Sequence, residues 1–128
     1  MAKENKLILY QDEDGITKVS VRFSDEDMWL TRHQIAEIYD TTRQNVSQHI
    51  ESIFKDEELF PESTSKDFLL VQNEGSRQVQ RNVAHYNLDM IIAIGYRVKS
   101  QIAVCFRQWA TKRLHEYIQK GFAMDNTM

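Results

Sequence analysis

TRHQIAEIYDTTRQNVSQHI, residues 31–50, holds two helical patterns separated by a polar break at Asp40-Thr41. Thr31 followed by Gln34 fits a capping box, in which a threonine hydroxyl and a glutamine amide satisfy the first backbone donors of a helix. Ile35, Ala36, Ile38 and Tyr39 then form an apolar stripe. Thr41 with Gln44 repeats the capping pattern, and Val46, Ile50, Ile53 and Phe54 give the second helix its inward side. Two helices joined by so short a turn must cross at an angle, which predicts a helix-turn-helix. Ala36 is small where the second helix has to approach closely, and Val46 supplies an aliphatic anchor. Asp40 stands where such turns favour glycine, and aspartate is among the side chains that tolerate positive φ. The next anchor position falls on His49, so the burial there is expected to come from Ile50.

With Val46, Ile50 and Ile53 inward, Thr42, Arg43, Gln44, Ser47 and Gln48 point outward. Arginine can pair bidentately with guanine and glutamine with adenine, and serine can donate or accept. Thr41, Thr42 and the helix N-terminus suit phosphate oxygens. No acid interrupts this stretch before Glu51. The alternative is a polar face that meets only water, on a protein-interaction module that never touches DNA.

Outward from this pair, KLILY (6–10) and TKVSVRF (17–23) are β-prone runs separated by Asp14-Gly15, a tight-turn signal. Val19, Val21 and Phe23 alternate with Lys18, Ser20 and Arg22, which predicts a hairpin with one buried face within residues 1–30. The helix-turn-helix occupies 31–56, and 56–67 reads as an acidic loop. DFLLVQ and RQVQRNVAHY flank NEGS and predict a second hairpin over 67–86, a wing carrying Arg77, Gln78 and Arg81 towards flanking phosphates. Asn87 can cap a buried helix, NLDMIIAIGYRV. A last helix runs from about Ser100 to Lys120 and closes at Gly121, with Ile102, Val104, Cys105, Phe106, Trp109, Leu114, Tyr117 and Ile118 as its stripe. The expected architecture is thus a single α+β domain over 1–128: a winged helix-turn-helix with an N-terminal β-hairpin and two C-terminal helices at 87–121.

Composition narrows the function. The 128 residues carry a net charge of −3, which argues against nucleic acid, because neutralising phosphates needs positive surface. The charge is uneven, however: 56–75 holds one base and six acids, whereas 76–128 holds eight bases and three acids. Cys105 is the one cysteine, so no internal disulfide forms, and a reducing compartment is expected. No run of about 18 apolar residues and no signal-peptide core is present, which makes the cytoplasm the expected location. The four histidines lack metal-ligand spacing, so no metal is expected. Gly95, inside a helical pattern, signals close helix packing. No dinucleotide fingerprint, phosphate loop or buried carboxylate pair emerges, so neither a cofactor nor an enzyme is expected. Arg97, Lys99, Arg107, Lys112 and Arg113 form a basic cluster, read either as solubilising charge or as a second phosphate or partner surface.

YNLDMIIAIGYRVKSQIAVCFRQWATKRLHEYIQKGFAMD (86–125), with WLTRHQIAEIYDTTRQNVSQHI (29–50) and ILYQDEDG (8–15), resembles the RhuM family of bacterial virulence-associated proteins. The resemblance covers nearly the whole chain. Members of that family are usually longer, so the chain resembles their N-terminal region. Some relatives join this region to Fic/Doc-type modules, which implies a virulence, phage or toxin–antitoxin setting. The FR-WAT--L-EYI element is more loosely similar to the end of phage antirepressor Bro-N domains, which again implies DNA association. The family carries no assigned catalytic residue to transfer. The expectation is a sequence-specific binder of double-stranded DNA, reading through Thr42, Arg43, Gln44, Ser47 and Gln48, with Thr41, Arg77 and Arg81 on phosphates. A homodimer through the C-terminal helices is expected because helix-turn-helix readers commonly bind paired half-sites.

Overall fold

The computed structural model describes residues 6–12 and 15–125, with side chains through Lys120. Its elements are β1 (Lys6–Gln11), β2 (Lys18–Ser24), β3 (Asp27–Leu30), α1 (Arg32–Ile38), α2 (Arg43–Lys55), α3 (Pro61–Thr64), β4 (Ser65–Glu74), β5 (Arg77–Asn87), α4 (Leu88–Val98) and α5 (Gln101–Asp125). The architecture is α+β. All strand pairs are antiparallel, in one sheet ordered β1-β2-β3-β5-β4.

Alternation decides which face of the sheet is covered. Tyr10, Val19, Val21, Phe23, Met28, Leu30 and Tyr86 share one side and are buried. They join α1, α2, α4 and α5 in one hydrophobic core that extends to Ala110. The opposite side carries Leu7, Leu9, Arg22, Trp29 and His85, and Leu7 and Leu9 remain exposed.

The described residues within 1–30 form three strands, where a single hairpin was expected. β3, DMWL, is four residues long, too short for its alternation to register as a pattern. It nevertheless joins the two halves of the sheet, because Trp29 and Leu30 pair with Asn87 and Tyr86. Of the expected Asp14-Gly15 turn, Asp14 lies outside the described residues, and Gly15 has φ +75°. The acidic stretch 56–67 is not all loop: α3 makes one turn there, started by Pro61, whose missing N–H costs nothing at a first helical position.

The helix pair closes through a turn that lacks glycine. Tyr39 ends α1, Asp40 takes φ 54°, its N–H donates to Glu37 O, and the Thr41 N–H donates to Ala36 O. This is the Schellman arrangement, which satisfies the last carbonyls of a helix. α2 ends the same way, with Glu57 at φ 55° and Glu58 N–H donating to Ile53 O. Left-handed backbone strains a side chain with a Cβ. Asp40→Gly is therefore expected to raise stability by about 0.5–1 kcal/mol, read as a higher urea midpoint at unchanged slope. A lower midpoint would mean that the aspartate side chain holds the turn.

The last two helices are set by buried polar groups as well as by core contacts. The Asn87 side chain accepts from Met90 N–H and donates to Asp27 Oδ2 (3.1 Å) and Ser63 O (3.3 Å). Asp27 in turn accepts from Leu88 N–H, fastening the start of α4 to β3. A Cβ at Gly95 would lie 2.9 Å from the Tyr39 hydroxyl and 3.2 Å from Ala103 Cβ, so the close packing expected at this glycine is present. The Tyr39 hydroxyl donates to Ile91 O at 2.7 Å. α5 does not close at Gly121 but continues to Asp125; a glycine inside a helix costs only about 1 kcal/mol. Its inward stripe holds in part: Phe106, Trp109, Leu114 and Tyr117 face the core as expected. Ala103, Phe106 and Ala110 are the buried positions, whereas Ile102 and Ile118 are exposed. Small residues line the helix where neighbouring elements approach, and a hydrophobicity pattern passes over them.

Candidate nucleic-acid interface

α2 is anchored as its sequence pattern requires, with Val46, Ile50 and Ile53 buried to 2% exposure or less. This fixes the rest of the helix. Thr42, Arg43, Gln44 and Gln48 are exposed, and Ser47 and Thr41 are half-buried. The helix start lies one residue later than expected. Thr42 is the N-cap and accepts from Asn45 N–H at 3.0 Å, so the Thr41/Gln44 capping box does not form. The physical reason is the preceding turn: the Thr41 backbone N–H is committed to Ala36 O. The Thr41 hydroxyl instead accepts from Asn45 Nδ2 at 2.8 Å. Gln44 thereby loses a capping duty and keeps its amide free to face outward. The box at Thr31/Gln34 forms as expected, with both bonds present.

β4 and β5 make the hairpin expected over 67–86, one to two residues longer at each end. Glu74 lies opposite Arg77 beside a turn with Gly75 at φ +65°. Arg77 is exposed. Arg81 is engaged: its Nε and Nη2 donate to the two carboxylate oxygens of Glu74 at 2.7 and 2.9 Å. This bidentate pair holds the Glu74 carboxyl below its ordinary range and raises the Arg81 guanidinium. Both groups are exposed, so the pair can be exchanged for another anion. Of the two hairpin arginines, Arg77 is the one presented without that competitor.

The base of the hairpin is braced on the sheet face away from the helices. The Arg22 guanidinium sits 4.7 Å from the centre of the Phe68 ring, and Lys66 Nζ lies 5.3 Å from it. Phe68 meets Trp29 edge-on at 5.8 Å and His85 at 4.7 Å. Lys66 also forms an ion pair with Asp25. Sequence reasoning missed this cluster, although the alternation of 17–23 already placed Arg22 on the side opposite the core. Strand register was needed to bring Phe68 and His85 to it.

His85 is 3% exposed and its Nδ1–H donates to Val83 O at 2.8 Å. Burial pushes its pKa below 6.5, opposed in part by the Val83 carbonyl and assisted by Arg22. His49 on α2 shifts the same way, through burial and then Arg97. As pH falls through about 6.5, unfolded chains take up protons that the folded histidines still refuse. Stability contributed by the neutral rings is thus complete above that pH and declines as pH drops towards the folded values. Asp27, whose carboxyl is raised chiefly by burial, acts oppositely and at lower pH, where the folded state protonates first. The urea midpoint is expected to fall between pH 7 and pH 5.5, and the fall to shrink in His85→Gln. An unchanged midpoint over this range would contradict the buried neutral ring.

The basic residues towards the C-terminus do not form one stripe. Arg97 pairs with Glu58 at 2.8 Å, Arg113 with Glu116 at 3.1 Å, and Arg107 donates to the Tyr96 hydroxyl at 2.8 Å. Among the described residues, no group of three or more His, Cys, Asp or Glu is arranged to hold a metal ion. Among those residues, too, no helix is long and apolar enough to cross a membrane.

No curated protein and no solved structure matches the chain. A family model does: that of the Virulence protein RhuM family matches residues 63–128, which takes in the hairpin of β4 and β5 together with α4 and α5. That match spans just over half of the chain, and the protein belongs to the Virulence protein RhuM family.

Proposed function

We propose that this chain is a winged-helix domain that binds double-stranded DNA in a sequence-specific manner, acting as a regulator and not as an enzyme, in a virulence, phage or toxin–antitoxin setting. The observation that carries this reading is the outward face of α2. Thr42, Arg43, Gln44 and Gln48 are exposed on a helix whose N-terminus is capped and whose inner side is locked by Val46, Ile50 and Ile53. No acid lies between Thr41 and Ile50. Arg43 and Gln44 carry the bidentate chemistry that base edges demand, Ser47 and Gln48 extend the reading face, and Thr41 and Thr42 suit the adjacent phosphates. Chain order supports it: a strand, two helices across a tight turn, then a hairpin whose second strand pairs with the first strand. In that order β4 and β5 are the wing, and Arg77 is its leading phosphate contact, with Arg81 available after exchange from Glu74.

A second reading, a protein-interaction module, draws on the exposed acids Asp56, Glu57, Glu58 and Glu62 between α2 and β4. Selection from a random-sequence duplex library, followed by binding at several salt concentrations, separates the two. The DNA reading predicts an enriched site whose affinity falls steeply with salt, by roughly 0.9 in log–log slope for each phosphate contacted. No enrichment and no binding at low salt would leave the interaction module.

A further inference from the structure

β4 closes one end of the sheet, and its outer edge has no strand beside it among the described residues. It is ten residues long, SKDFLLVQNE, and its central stretch from Phe68 to Asn73 has no charge, proline or glycine. Exposed edges of this kind template pairing with another strand, and proteins that stay monomeric usually blunt them. Leu69 and Val71 add to this. They point to the sheet face that carries the core yet are 58% and 60% exposed.

We propose that β4 pairs antiparallel with β4 of a second copy of this chain, centred on Leu70, so that two sheets become one. Register picks out this centre. A two-fold axis normal to the sheet keeps each face on its own side, so residues of the same face must oppose each other. Centred on Leu69, the pairing would set Asp67 against Val71 of the second copy. Centred on Val71, it would set Phe68 against Glu74. Centred on Leu70, Lys66 faces Glu74 of the second copy at both ends, Asp67 faces Asn73 and Phe68 faces Gln72. Leu69 faces Val71, and Leu70 faces its own counterpart. Like meets like in the middle, and opposite charges meet at the ends. Lys66 and Glu74 are now paired within the chain to Asp25 and Arg81, in solvated ion pairs that can be shared or exchanged. The pairing uses the outer-edge N–H and C=O groups of β4, on the side away from the Arg77 strand. It stands independently of DNA binding.

Sedimentation equilibrium of the chain without DNA is expected to show a monomer–dimer equilibrium. Glu74→Lys sets like charges together at both ends and is expected to weaken association roughly tenfold or more. The double change Lys66→Glu with Glu74→Lys restores it, with circular dichroism showing that both variants remain folded. In a Cys105→Ser background, Leu70→Cys is expected to oxidise to a cross-linked dimer, because directly opposed Cα atoms lie about 4.5–5.5 Å apart, within disulfide reach. A monomer at every concentration overturns the proposal. So does a dimer that ignores Glu74→Lys and does not cross-link, which would move self-association to another surface such as the C-terminal helices.

Discussion

Arg43→Ala is expected to weaken binding of the selected duplex by about 1–3 kcal/mol, roughly 5- to 150-fold, while binding of unrelated DNA changes little. The asymmetry is the informative part. Arg43 is the first residue of α2, exposed, and one residue beyond the Thr42 cap, so its guanidinium leaves a fixed point on the helix. A group that reads bases loses affinity at its own base pair and relaxes preference there. Arg77→Ala supplies the contrast: a phosphate contact on the wing should weaken all sequences alike and lower the salt slope by about 1. If Arg43→Ala behaves as Arg77→Ala is expected to, α2 contacts the backbone and does not read sequence. Competition titrations of each variant against specific and unrelated duplexes measure the difference.

Phe106→Ala is expected to cost about 3–5 kcal/mol, a large share of the roughly 5–15 kcal/mol that holds a domain folded. Phe106 on α5 is fully buried. Its ring meets Tyr10 of β1 at 5.0 Å, Tyr39 at the end of α1 at 6.2 Å and Trp109 at 5.7 Å. One side chain thus ties α5 to the N-terminal strands and to the helix pair. Urea unfolding followed by tryptophan fluorescence gives the loss as a shift of midpoint. A change below about 1 kcal/mol would mean that α5 does not share the core of the sheet and the helix pair.

The helix pair and both hairpins were legible because period and turn chemistry agree there. Val46, Ile50 and Ile53 recur at helical spacing, and Val19, Val21 and Phe23 alternate strictly. What escaped lies where geometry is settled by partners distant in the chain. β3 is four residues that become a strand only because β2 and β5 flank them. The turn at Asp40 was legible, since aspartate tolerates the positive φ it takes there, but the Schellman bond that commits the Thr41 N–H to Ala36 O, and so moves the α2 cap to Thr42, was not. On α5 the expected Phe106, Trp109, Leu114 and Tyr117 do face the core, whereas the buried Ala103 and Ala110 escape a hydrophobicity pattern and Ile102 and Ile118 turn outward. The candidate site divides similarly. Thr42, Arg43, Gln44 and Gln48 follow from knowing which side of α2 is inward. The engagement of Arg81 by Glu74 needs the register of the β4–β5 hairpin.

Whether the outward face of α2 meets DNA is tested most directly by the amide chemical-shift map of the isotope-labelled chain titrated with the selected duplex. Recognition through α2 and the wing predicts the largest shifts at Thr41–Gln48, with a second set around Gly75–Gln78 at the tip of the hairpin. Shifts confined to the open sheet face or to the acidic stretch around α3, or none at all at low salt, would contradict it.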